Sequence, residues 1–147
     1  MKDEIAVLIP AHNEEKNIGR LVSDLKSSFS TVIVVDDGSS DKTAENASGK
    51  GAVVISHAIC RGKGEALKTG FKYIAEKGLP AVITVDGDGQ HPVGDIPGFL
   101  KSYGENRRAA VWVGKRRIKG TGMPLVRRLT NMSMSLLISG IAGQWIP

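Results

Sequence analysis

Three runs of consecutive apolar and β-branched residues punctuate this chain: Ile5-Ala6-Val7-Leu8-Ile9, Thr31-Val32-Ile33-Val34-Val35 and Ala81-Val82-Ile83-Thr84-Val85. Unbroken runs of this length, without the alternation of a half-exposed strand, predict strands covered on both faces. Between them the spacing turns helical. Ile18, Leu21, Val22 and Leu25 predict a helix capped by Asn13, with Glu14 and Glu15 in a first turn where the helix dipole favours negative charge. A short helix over 42–48, a strand over 52–56 and a helix over 64–77 follow. The last of these turns Ala66, Leu67, Gly70, Phe71 and Ile74 inward and is ended by Gly78-Leu79-Pro80. After the strand over 81–85 come a helix near 95–103, a strand over 109–113, a basic loop and a helix over 124–141. This βαβαβαβαβα alternation predicts an α/β fold with a mostly parallel sheet and helices on both faces.

Each of the three apolar runs empties into polar residues: Pro10-Ala11-His12-Asn13-Glu14, Asp36-Asp37-Gly38-Ser39-Ser40-Asp41 and Asp86-Gly87-Asp88-Gly89-Gln90-His91-Pro92. In an open parallel sheet the C-terminal strand ends share one edge, and ligands bind in the crevice just outside it, where the strand order reverses. Asp86 and Asp88 offer two hard oxygen ligands from one turn. That donor set suits Mg²⁺ or Mn²⁺, which keep open positions for substrate phosphates, and Gly87 lets the backbone approach a ligand closely. Aspartate and glycine are also what turns are made of, so the convergence of three strand ends gives the pair its weight. The ligand class it suggests is a diphosphate.

Composition sets modest limits. With 147 residues, 41% hydrophobic and 24% charged, the chain suits one domain with a real core. The N-terminus has no basic-then-apolar signal pattern, and no apolar run nears the roughly 18 residues of a membrane span, so a cytoplasmic location is expected. The single cysteine, Cys60, is expected to be a small buried apolar group. Charge is uneven: residues 1–100 carry 11 Lys/Arg against 14 Asp/Glu, whereas residues 101–147 carry 9 against 1. Lys115, Arg116, Arg117, Lys119, Arg127 and Arg128 suit a phosphorylated substrate or an anionic membrane surface. Aromatics make up only 5% of the chain, and no helix-turn-helix, zinc-finger or RNA-recognition signature is present, which argues against nucleic acid. The apolar segment Met132–Ile141 beside the basic loop suits a packed helix, a homo-oligomer contact or a peripheral place at the inner face of a membrane.

Together, Ile9–Glu14, Val34–Asp41, Arg61-Gly62-Lys63-Gly64-Glu65-Ala66 with Gly70-Phe71, and Asp86–Pro92 resemble the family 2 glycosyltransferases of the Rossmann-like GT-A fold. They are most similar to the dolichyl-phosphate mannosyl- and glucosyltransferase group, and the resemblance runs from Ile5 to about Gly143. It implies that Pro10 and His12 border the nucleotide base, that Glu14 reaches base or ribose, and that Asp37, with Asp36, reads the base edge. It places Lys63 near the nucleotide, and Asp86, Asp88 and Gln90 on the metal and diphosphate, with Gly87 between them. Val113-Gly114-Lys115-Arg116-Arg117 is similar to the family's Gly-Ser-Arg segment, Lys115 replacing the serine. Arg116, and Arg127 or Arg128, would then face the acceptor phosphate or the departing diphosphate, for which a guanidinium fork is suited.

The implied reaction is transfer of a sugar, with inversion, from a nucleoside-diphosphate sugar such as GDP-mannose or a UDP-sugar to a polyprenyl phosphate. The metal, Asp88 and Arg116 would do the catalytic work. An anionic acceptor oxygen needs no protein base, and His12, His57 and His91 have no sequence-spaced partner of triad type. One catalytic domain over 1–147 is expected, with an acceptor side that looks incomplete because similar enzymes continue beyond this point. A sugar nucleotidyltransferase would need a glycine-rich loop where Pro10–Glu14 stands. An EF-hand would need glycine and glutamate where His91 and Pro97 stand. The serious alternative is a non-catalytic fragment that binds nucleotide sugar.

Overall fold

In the computed structural model, residues 4–88, 94 and 96–106 are described. The element order is β1 (Ile5–Ala11), α1 (Ile18–Lys26), β2 (Thr31–Asp36), α2 (Thr43–Ser48), β3 (Val53–Ser56), α3 (Lys63–Glu76), β4 (Ala81–Thr84) and α4 (Ile96–Glu105). All strand pairs are parallel, in the order β3-β2-β1-β4. The chain thus builds outward from β1 through β2 to β3, then returns to lay β4 on the other side of β1. That reversal makes the C-terminal ends of β1 and β4 the topological switch point of the sheet.

The unbroken apolar runs of β1 and β2 are explained by the two faces, whereas β4 corrects the expectation of full cover: Ala81, Val82 and Ile83 are half-buried and Thr84 is exposed, because β4 pairs with β1 alone among the described strands. Ile5, Val7, Ile9 and Ala11 point to one side, where they pack with Ile18, Leu21, Val22 and Leu25 of α1, Ala47 of α2 and Ile96 and Leu100 of α4. Ala6 and Leu8 point to the other, with Ile33 and Val35 of β2, against Ala66 and Ile74 of α3. A strand buried on both faces has no polar position to offer, hence the period-free sequence. α3 ends as its sequence predicts. Gly78 adopts φ 66°, its N–H donates to the Ala75 carbonyl at 3.0 Å, and the Leu79 N–H reaches back to Ile74 at 3.2 Å, a Schellman closure.

Two expectations are corrected. Asn13 does not cap α1, which starts five residues later, and its first turn carries no acidic residue. Asn13 sits instead at φ 56°, its side-chain oxygen accepting the Ser40 N–H at 2.9 Å and its own N–H donating to Ser39 Oγ at 2.9 Å. The β1–α1 loop is tied to the β2–α2 loop, and those bonds outcompete an early helix start. Phe71 is 43% exposed: α3 buries the stripe Ala66, Gly70 and Ile74, and Phe71 lies round the helix from it. The expected strand over 109–113, the helix over 124–141 and the single-domain extent 1–147 reach beyond the described residues. Among those that are described, no helix is long and apolar enough to cross a membrane.

Gly70 sets the distance between α3 and the sheet. A Cβ there would meet Leu8 Cδ1 at 2.2 Å and Cδ2 at 2.6 Å, and Leu8 is fully buried. Gly70→Ala therefore lowers the urea unfolding midpoint: overpacking costs about 1–3 kcal/mol, more than the ~1 kcal/mol that alanine gains in helix propensity. Gly64→Ala, with nothing within 4 Å of its added Cβ, does not lower it. Equal midpoints for Gly70→Ala and the native chain would disprove this account of the packing.

Candidate functional site

The switch point carries the polar strand ends. Beyond the pair Leu8↔Thr84, the Val85 N–H still donates to the Leu8 carbonyl at 3.0 Å, so the two chains run side by side until Asp86 lies next to the end of β1. Gly87 makes that approach feasible. A Cβ on it would stand 3.3 Å from Ala11 Cβ, 3.3 Å from the Pro10 carbonyl oxygen and 3.5 Å from Glu14 Cγ. The result is an open cleft of about 250 Å³ lined by Pro10, Ala11, His12, Glu14, Asp37, Lys63, Ala66, Asp86, Gly87 and Asp88. Eight of the residues that the sequence marks as candidates meet there.

The cleft is electrostatically divided. At one end Asp86 and Asp88 bring two carboxylates within one turn, and Lys63 at the start of α3 reaches across to form an ion pair with Asp86 Oδ1. Among the described residues no group of three His, Cys, Asp or Glu side chains converges into a metal cage. Two hard oxygen donors at an open cleft nevertheless fit a divalent cation that completes its shell with phosphate and water. The Lys63 ammonium on Asp86 shows that this carboxylate already draws a cation.

At the other end Asp37 is a buried hub, 3% exposed. Its N–H donates to the Ala11 carbonyl at 2.8 Å, and its carbonyl accepts from His12 Nδ1 at 2.8 Å. Its carboxylate takes four donors: His57 Nδ1 at 2.7 Å and the Arg61 N–H at 2.9 Å on Oδ1, the Gly62 N–H at 2.7 Å and the Cys60 thiol at 3.3 Å on Oδ2. Burial alone would raise the Asp37 pKa. The hydrogen bonds from His57, the Arg61 N–H, Cys60 and the Gly62 N–H outweigh it and hold the carboxyl well below the ordinary carboxylate range. Four donors fill the four lone-pair positions of a carboxylate, so Asp37 anchors the 57–62 segment to the sheet.

Asp36 stands apart from the cleft. It is buried, and its Oδ1 accepts the Ser39 N–H at 3.1 Å. Its position is that of a turn cap. Gln90, Arg116, Arg127, Arg128 and Met132–Ile141 lie outside the described residues. Cys60 is exposed, correcting the expectation of a buried filler, because the bonds from the 57–62 segment to Asp37 hold it at the surface. His57 has no partner by sequence spacing, yet the fold gives it two, Asp37 Oδ1 at 2.7 Å and Thr69 Oγ1 at 2.9 Å. The signal was available in strand pairing: parallel β2 and β3 with Asp36↔Ser56 in register place residues 37 and 57 side by side.

Comparison with known proteins agrees with this geometry. The model of glycosyl transferase family 2 matches residues 6–142. The chain is 38% identical over 151 residues to an uncharacterised protein of Methanocaldococcus jannaschii, covering 99% of this chain and 61% of that one. It is 30% identical over 164 residues to the UDP-N-acetylglucosamine–dolichyl-phosphate N-acetylglucosaminyltransferase of Methanococcus voltae, covering 97% and 64%. The chain therefore spans somewhat under two thirds of the length of these relatives. Among solved structures, glucosyl-3-phosphoglycerate synthase of Mycobacterium tuberculosis with Mn²⁺ and UDP-glucose superposes with a TM-score of 0.54 at 30% identity, over 66% of this chain and 38% of that one. The same enzyme with Mg²⁺ and UDP gives the same TM-score of 0.54.

A carboxyl whose folded pKa is depressed stabilises the fold above its unfolded value of about 3.9, and that contribution is lost as pH falls toward the folded value. Asp37→Asn places an amide NH₂ against these donors and is expected to cost roughly 2 kcal/mol at pH 7, read by urea unfolding. The difference from the native chain should narrow below about pH 4. A difference independent of pH would show that the Asp37 charge is not what holds the segment.

Proposed function

This chain belongs to glycosyl transferase family 2, and on that footing we propose that its cleft binds a nucleoside-diphosphate sugar and serves transfer of the sugar, with inversion, to a polyprenyl phosphate. Its parallel sheet is the GT-A fold. The observation that carries the proposal is the gathering of Pro10, His12, Glu14, Asp37, Lys63, Asp86 and Asp88 in one cleft at the switch point. A nucleoside diphosphate has three parts, and the cleft offers a complement to each. The ring of Pro10 and the imidazole of His12 give the base an apolar and a planar surface. Glu14 accepts a hydrogen bond from a ribose or sugar hydroxyl, and the acidic turn with Lys63 receives the diphosphate.

Asp86 and Asp88 would hold Mg²⁺ or Mn²⁺, with Gln90 as a neutral third ligand. When bound, the ion supplies Lewis-acid neutralisation of charge on the departing diphosphate, an effect of several kcal/mol. Lys63 adds a second positive charge from the side of α3. The acceptor is proposed from chemistry together with the dolichyl-phosphate named for the Methanococcus relative. A phosphate oxygen is already anionic, so attack at the anomeric carbon needs no general base, in keeping with a cleft histidine, His12, whose two ring nitrogens are both engaged, Nδ1 with the Asp37 carbonyl at 2.8 Å and Nε2 with the Asn13 side-chain amide at 3.1 Å. Arg116 and Arg128, in the segment where residues 101–147 carry 9 basic against 1 acidic residue, would bind the acceptor phosphate and face an anionic membrane surface.

Thermal denaturation with GDP, UDP, dTDP and CDP, each with Mn²⁺, Mg²⁺ or a chelator, tests the donor side. One diphosphate is expected to raise Tm with metal and to lose the effect with chelator. Asp88→Ala should weaken that diphosphate by roughly tenfold or more. No shift with any diphosphate, or identical affinity in chelator, would refute the proposal. Incubation of labelled nucleotide sugar with a polyprenyl phosphate then separates a transferase from a chain that binds donor alone.

A further inference from the structure

We infer that His57 is a positioning residue of the diphosphate end of the cleft, acting with Asp37 to fix where α3 delivers the Lys63 ammonium. The inference rests on the nucleoside-diphosphate reading of the cleft.

Lys63 is the first residue of α3 and stands between Gly62 and Gly64. Gly62 has φ 94°, and its helix start has no side-chain cap. Nothing local restrains the direction in which the helix leaves the loop, since glycine imposes little preference of its own. The restraint is tertiary. Asp37, at the end of β2, takes the N–H groups of Arg61 and Gly62 at 2.9 and 2.7 Å, which pins the entry to the helix. His57, just past β3, donates Nδ1–H to Asp37 at 2.7 Å and meets Thr69 Oγ1 through Nε2 at 2.9 Å, which pins the helix two turns further on.

A helix held at its entry and again along its length has a fixed axis. The His57 and Asp37 side chains are only 7% and 4% exposed, whereas that of Lys63 is 59% exposed. A long, solvated ammonium can hold a defined station at Asp86 only if its root is held for it. An imidazole suits the task because its two ring nitrogens point in opposite directions, one to a carboxylate and one to a hydroxyl. A satisfied core histidine would explain the burial but not why both partners converge on the element that carries Lys63.

The experiment measures binding of UDP, GDP, UMP and GMP by calorimetry with Mn²⁺ present. His57→Phe is expected to weaken the preferred diphosphate about tenfold, the scale of one charge-assisted hydrogen bond, and to change the matching monophosphate by less than threefold. Lys63→Met should do the same. The double variant should be no weaker than Lys63→Met alone, because both act through one ammonium. His57→Gln, which can still donate to Asp37, should recover most of the loss, and Thr69→Val, which keeps the dyad, should lose a smaller part. If His57→Phe does not fold, His57→Gln and Thr69→Val are read against Lys63→Met in the same way. Equal losses for mono- and diphosphate, additive losses in the double variant, or no loss in any of them would overturn the inference. Failure of the native chain to bind any diphosphate would remove the underlying reading as well.

Discussion

One buried carboxylate organises the upper edge of this sheet. Asp37 leaves β2 at the point where parallel pairing runs out, and a charged group there has to be neutralised by donors or excluded from the interior. It recruits four, from β3's end, the following segment and the entry to α3. Through its backbone it also fastens the end of β1, where its N–H meets Ala11 and its carbonyl meets His12. Three strands and a helix are thus indexed to one residue. The cleft inherits its shape from that indexing, since its lining comes from the ends of β1, β2 and β4 and from the start of α3.

Much of this was legible in the sequence, because burial on both faces leaves a plain mark. The runs 5–9 and 31–35 are strands buried on both faces, 81–85 holds a strand that is only half-buried, and the carboxylates after them share an edge once the sheet is parallel. Helix ends written in backbone conformation were also readable, as at Gly78. What escaped was whatever depends on pairing between loops. Asn13 looks like a cap from its neighbours alone, yet Ser39 and Ser40, distant in sequence, claim both its N–H and its side chain. Phe71 looks like core by composition, but the stripe through Gly70 leaves it outside. Asp36 and Asp37 are neighbours in sequence with unlike surroundings, one capping a turn and the other holding the segment that leads into α3.

Two kinds of electrostatic logic meet in the cleft. Asp37 is dry and saturated with fixed donors, so its charge is structural. Asp86 is half-exposed, and its partner Lys63 is a solvated cation held at its root by α3, so their pairing can be exchanged for a ligand. The same residue type does opposite work a few ångströms into or out of the solvent. Gly87 joins the two by bringing the acidic turn against Pro10, Ala11 and Glu14, so anything that moves the turn is felt at the end of β1.

Cys60 gives this arrangement an experimental convenience. It is the chain's single cysteine, it is exposed, and its sulfur lies 3.3 Å from the hub carboxylate. A thiol is the weakest of the four donors there. A maleimide dye or spin label attached to the otherwise native chain therefore lands at one address, beside the residue that indexes the cleft, and displaces only the least of its supports. The molecule carries its own reporter position for watching loop and helix respond to a ligand in real time.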